Sequence, residues 1–261
     1  MSLPDILALD FDGVLCDGLV EYFQTAWHAY SRLWNVQDNQ PPEGLAEEFY
    51  PLRPVIETGW EMPVLIRALV TGVSPSDILD RWRDICQEIV DRDGLSAAEI
   101  MAEVDGYRDR QIQNNLDRWL AYHRFYPGTI EQLKLLQKSS VELVIITTKE
   151  ARFARELLRQ EGVYFSEEQI IGKGAKRPKT ESLLEFNPAE KQIWFIEDRL
   201  KTLLSVVQHP ELTSVQLFLA TWGYNTARDR ESIAKHSRIS SLSLEQFCQP
   251  LDRWQFTVEL E

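Results

Sequence analysis

Short apolar runs punctuate the chain at Ile6 to Leu9, Val141 to Ile146, Ile193 to Ile196 and Val215 to Ala220, each bounded by polar or turn residues. They are too short for helices, and their unbroken apolar character predicts strands of a parallel sheet buried on both faces. Gln169 to Ile171 is a weaker fifth run. Between the later runs the apolar spacing becomes helical, over Ile130 to Gln137, Ala151 to Gln160, Thr180 to Phe186 and Leu200 to Val207. Strand and helix in alternation predict an α/β fold built on an open parallel sheet.

The alternation is interrupted once. From Asp17 to about Phe125 the pattern is helical throughout, at Val20 to Trp34, Pro63 to Val70, Ser76 to Asp91, Ser96 to Val104 and Tyr107 to Tyr122, with Pro41-Pro42 and Pro51 to Pro54 as punctuation. This predicts an α-helical domain over residues 17–124 inserted into a core made of residues 1–16 and 125–261. Beyond about Thr226 the chain carries polar, helix-like segments and closes with Trp254 to Leu260. That tail is expected to do no more than dock or cover an edge.

Charge narrows the range of ligands. The formal net charge is −13 and no dense Lys/Arg run is present, which argues against a nucleic-acid partner. A protein this acidic repels anions at long range, so a phosphate ligand must be met by local cations or a metal. Cys16, Cys86 and Cys248 lie far apart with no CxxC pair, the pattern of reduced thiols. The opening MSLPDILALDFDG lacks a basic start and a long apolar stretch, and no apolar run approaches the ~18 residues of a membrane span. A cytoplasmic protein without a membrane partner is therefore expected; oligomeric state is not readable.

Candidate chemistry clusters where strands end. Asp10-Phe11-Asp12-Gly13 follows the first apolar run, and ligands of open α/β sheets bind outside the carboxyl ends of strands. Two carboxylates in one site repel, which suits a division of labour between a nucleophile and a proton carrier. Gly13 permits the tight turn that follows. Thr147 and Thr148 close the second run ahead of a helix, where a hydroxyl and backbone N–H groups can bind phosphate oxygens; a threonine there also fits an ordinary helix cap. Lys173, Lys176 and Lys179 precede the Thr180 helix, an unfavourable place for a cation unless an anion sits beside it. Glu197-Asp198 ends the third major run, where adjacent acids imply either a hard cation such as Mg²⁺ or pairing with Arg199.

Taken together, these elements resemble the haloacid dehalogenase-like hydrolases. LALDFDGVLCDG is similar to that superfamily's first motif, VIITTK to its second and WFIEDR to its fourth, with the motif lysine inside AKRPKTESLLEF. The resemblance implies a Rossmann-like core with a helical cap, and a Mg²⁺-dependent phosphatase acting through an aspartyl phosphate on a small phosphorylated metabolite. It implies Asp10 as nucleophile, Asp12 as acid/base and magnesium ligand through its backbone carbonyl, and Thr147 as a phosphoryl-binding hydroxyl. Lys179, or alternatively Lys176, becomes the site lysine. Asp198 becomes a metal ligand with Glu197 as auxiliary. Gly13, Thr148 and Arg53, the last in a cap loop over Leu52 to Glu61, are expected to meet substrate. Two features depart from the pattern: Thr202 and Leu203 stand where many members carry a further acid, and Val14 where the residue after Asp-Gly is usually Thr. A phosphomutase of the β-phosphoglucomutase type and a non-catalytic binding protein remain alternatives, whereas a dehalogenase would lack Asp12.

Overall fold

The structure is a computed structural model describing residues 3–38, 40–186 and 188–254. Eight strands occur among these residues: β1 (Ile6–Leu9), β2 (Cys16–Asp17), β3 (Arg124–Phe125), β4 (Glu142–Ile146), β5 (Ile170–Ile171), β6 (Ile193–Glu197), β7 (Gln216–Ala220) and β8 (Ile239–Leu242). Six form one parallel sheet in the order β5-β4-β1-β6-β7-β8. β1 is buried along its whole length, as an unbroken apolar strand at the centre of a sheet must be. The chain builds outward from β1 through β4 to β5, then crosses back to build β6, β7 and β8. The order therefore reverses beside β1, the place where open α/β sheets gather ligands.

One face of the sheet buries Ile6, Ala8, Val144, Phe195, Leu217 and Ile239 against Leu203 and Val206 of the helix Leu200–Val207. Leu203, one of the two positions without the further acid, is thus a fully buried core residue. β8 was not foreseen. Its two serines break the apolar run, and Ser240 is buried all the same. As an edge strand it pairs with β7 alone and needs less hydrophobic character to be held. Trp254 packs its ring near those of Trp194, Phe218 and Phe247, which anchors the tail; the rest of Trp254 to Leu260 lies outside the described residues.

The chain divides into two compact units, Met1–Asp17 with Arg124–Glu261, and Gly18–His123. The second consists of helices, chiefly Leu19–Leu33, Glu61–Val70, Pro75–Asp93 and Ala97–Asn114. Two helices expected over Ser96 to Val104 and Tyr107 to Tyr122 are instead one long helix through Gly106, then a short one at Leu116–Leu120. A mid-helix glycine costs only about 1 kcal/mol, and packing on the rest of the helix overrides it. The break falls at Asn115, whose side chain caps the short helix by accepting from the Arg118 N–H. In this unit Glu21 is buried and accepts both arms of the Arg108 guanidinium at 2.8 Å. Where the chain leaves and re-enters the first unit, β2 and β3 pair as a short antiparallel ribbon, Asp17 opposite Arg124. No helix among the described residues is long and apolar enough to cross a membrane.

Candidate active site

Four of the strand tips carry the polar groups. Asp10 follows β1, and its N–H donates to the Ile196 carbonyl of β6 at 2.9 Å, which fixes its backbone. Its Oδ1 accepts from the Phe11 N–H at 2.7 Å and lies 2.8 Å from Lys179 Nζ, so both contacts fall on one carboxylate oxygen. Lys179 also donates to Glu197 Oε2 at 2.7 Å. The other oxygen of Glu197 accepts from the N–H groups of Asp198 and Arg199, so Glu197 holds the lysine and closes the strand end. Asp198 accepts the Tyr224 N–H on Oδ2 at 2.7 Å, while its buried Oδ1 has no hydrogen-bond partner. Across the β1 turn, Lys149 Nζ lies 3.2 Å from Asp12 Oδ1, an ion pair without the alignment of a hydrogen bond. Thr147 is buried at the tip of β4, its Oγ1 accepting from the Lys149 N–H.

Burial dominates the electrostatics. It pushes the Asp10 carboxyl up to about 7, with Lys179 opposing the shift and Glu197 adding to it. Burial likewise raises Glu197 and Asp198; Lys179 opposes the first shift, and the Asp10 charge reinforces the second. Burial works against the charge on Lys179, but Asp10 and Glu197 together outweigh it and hold the ammonium protonated. If all four carboxyls of Asp10, Asp12, Glu197 and Asp198 were ionised, they would outnumber the ammonium groups of Lys149 and Lys179 by two, an excess that adds to burial in raising Asp10, Glu197 and Asp198. A divalent cation would balance that charge. The donor set fits one: Asp10, Glu197 and Asp198 present oxygens within 4.8 Å of one another, and an all-oxygen set suits a hard ion such as Mg²⁺. The orphaned Asp198 Oδ1 is the atom that gains most from it.

The turn after β1 allows little variation. Gly13 has φ +88°, and a Cβ there would overlap the Asp198 carboxylate. Gly13→Ala is expected to cost about 3 kcal/mol or more, combining backbone strain with the clash, and to appear as a lowered thermal midpoint.

The structure sorts the other residues named from sequence. Lys179, and not Lys176, reaches Asp10; Lys176 is exposed, with φ +52°, on the far side of Pro178 in the chain. Thr148 is exposed, since alternation past the strand end turns it away from the buried Thr147. Arg53 belongs to the helical unit, where its guanidinium lies 4.7 Å from the Tyr22 ring centroid and donates to the Ile56 carbonyl at 3.0 Å. Glu61, in the same loop, is committed to structure by accepting from Glu57, Thr58 and Trp82. Three contributors were missed. Lys149 closes the motif around Thr147, and the strand-tip rule that found the others points to it; Tyr224 and Asn225 lie in the loop beyond β7, past the strand end itself.

Acidic and basic groups gathered at the carboxyl ends of parallel strands, beside the reversal of strand order, define an α/β enzyme that works at its strand tips. The chain belongs to the haloacid dehalogenase-like hydrolases, whose family model matches residues 4–205. It is 26% identical over 240 residues to a phosphoglycolate phosphatase of Pseudomonas putida, spanning 88% of this chain and 75% of that protein. Its fold is shared with the crystal structure of a predicted phosphatase from Clostridium acetobutylicum, at TM-score 0.56 and 16% identity over 95% of this chain and 97% of the other. It is shared too with a predicted phosphoglycolate phosphatase from Haemophilus somnus, at TM-score 0.51 and 15% identity over 86% and 88% of the two chains.

Proposed function

We propose that this enzyme is a Mg²⁺-dependent phosphatase that hydrolyses a small phosphomonoester through an aspartyl phosphate on Asp10. The observation that carries the reading is the buried contact set around Asp10: one oxygen is held by Phe11 N–H and Lys179, and the other is left for attack. Asp10 adds to phosphorus as the ester oxygen departs, and Asp12 delivers a proton to that oxygen. Asp12 then takes a proton from the water that cleaves the acyl phosphate, which returns both carboxyls to their starting forms. Lys179 and the Thr147 hydroxyl offset charge on the phosphoryl oxygens. Asp10, Asp198 and the Asp12 carbonyl would hold Mg²⁺, which when bound neutralises the phosphate and polarises its P–O bonds. Glu197 holds Lys179 and stands as the auxiliary donor of the same cluster.

The core groups recognise only the phosphoryl part, so substrate choice falls to the helical unit, read here as a cap in which Arg53 is the candidate selector. The Pseudomonas relative makes phosphoglycolate the first substrate to test. The test is phosphate release from a panel of small phosphomonoesters with Mg²⁺, joined to acid-quench trapping. Asp12→Asn is expected to accumulate a hydroxylamine-labile phosphoprotein, with turnover lowered by about 10²- to 10⁴-fold. Absence of both release and a trapped species across the panel would favour a binding protein on this fold, and turnover of a sugar bisphosphate without release would favour a mutase.

A further inference from the structure

The loop after β7, Thr221 to Asn225, takes no part in the reaction proposed above, yet it grips the site. Tyr224 N–H donates to Asp198 Oδ2 at 2.7 Å, and Asn225 Nδ2 donates to the Asp198 carbonyl at 3.0 Å and to the Ala220 carbonyl at 2.9 Å. A Cβ on Gly223 would overlap both Asp198 Cβ and the Gly13 carbonyl oxygen, so the loop backbone lies directly against them. Trp222 Nε1 donates to the Val14 carbonyl at 3.0 Å. The far end of Tyr224 serves a different element. Its hydroxyl donates to Asp17 Oδ1 at 2.8 Å. Asp17 is the last residue of β2 and pairs with Arg124 of β3, so one buried tyrosine reaches the ribbon through which the chain leaves and returns.

We propose that Tyr224 is a positioning residue that ties the cation-holding carboxylate of Asp198 to the β2–β3 ribbon, so that loading of the Asp198 position tightens the ribbon. The inference rests on the reading that Asp198 holds a divalent ion. The physical basis is that Asp198 is anchored on one oxygen and unsatisfied on the other. A cation on Oδ1 fixes the carboxylate, and through Oδ2 it fixes the Tyr224 backbone. The ring is buried and bonded at its hydroxyl end, so the added order passes to Asp17 rather than being lost in rotamer exchange. Linkage makes the coupling reciprocal: whatever factor the ion adds to ribbon stability, an intact ribbon tie adds to ion affinity.

The test pairs amide hydrogen exchange of residues 14–18 and 124–127 with calorimetric Mg²⁺ titration, for the wild type, Tyr224→Phe and Asp17→Ala. Tyr224→Phe keeps the N–H to Asp198 and removes only the hydroxyl, so it reports even if Asp17→Ala fails to fold. Mg²⁺ is expected to slow ribbon exchange in the wild type by about three- to tenfold, the range one hydrogen bond supplies. The variants should lose that slowing and bind Mg²⁺ more weakly by the same factor. A merely structural tyrosine would alter exchange equally with and without the ion. Mg²⁺ binding without ribbon protection in the wild type, or protection retained in Tyr224→Phe, overturns the inference. A wild type that binds no Mg²⁺ overturns the proposed function, and this coupling with it.

Discussion

Asp10→Asn is expected to lower phosphate release by about 10⁴-fold or more, the scale set by removing the nucleophile from a group of residues that act as a unit. The substitution preserves shape and can keep the Phe11 N–H contact. It leaves Lys179 paired with Glu197, so the loss is one of chemistry and not of fold. Asn cannot form the acyl phosphate, and no phosphoprotein should be trapped with it. A variant that keeps turnover within tenfold of the wild type would remove Asp10 from the role assigned to it. The comparison is direct in phosphate-release assays with Mg²⁺ present, backed by a thermal melt showing the variant folded.

The second large effect concerns stability without metal. The Asp10 carboxyl titrates at about 7 in the folded chain against an ordinary 3.8. Its neutral form is therefore the one the fold prefers. Sign follows from linkage: below about pH 4 the group is protonated in both states and costs nothing, and as pH rises toward 7 the unfolded chain alone gains by ionising. Roughly 4 kcal/mol is withdrawn over that window. Glu197 and Asp198 are displaced in the same direction and add to it, while Lys179 stays charged throughout. In chelator, the wild type should lose thermal midpoint relative to Asp10→Asn as pH climbs from 4 to 7, and Mg²⁺ should restore it, by about 2.7 kcal/mol at a hundredfold excess over Kd. A difference between the two proteins that stays flat with pH would sink this account of the acidic cluster.

The core was legible because buried parallel strands leave an unmistakable trace. Ile6 to Leu9 and Ile193 to Ile196 admit little other reading, and the acids beside them inherit a position from the strand ends. β8 was illegible for the opposite reason: Ile239-Ser240-Ser241-Leu242 has two apolar residues, and its pairing with β7 is a tertiary fact with no local signature. Among the site residues, Asp10, Asp12, Thr147, Glu197 and Asp198 follow directly from strand and motif. The choice between Lys176 and Lys179 needed coordinates, because it turns on how the chain passes Pro178 into its helix. Tyr224 acts through its backbone N–H as much as its side chain, and any residue but proline offers that group. Such contributions leave almost no trace in composition or spacing.

The β2–β3 ribbon also bears on how such a protein can be rebuilt. Its paired ends lie one ladder rung apart, so the chain departs and returns at practically one point of the sheet-bearing unit. A tight turn could close that gap without disturbing β1 or β4, and a foreign helical module could be spliced there with equally short joints. The insertion is in this sense a cassette, joined to the sheet-bearing unit at two closely spaced points.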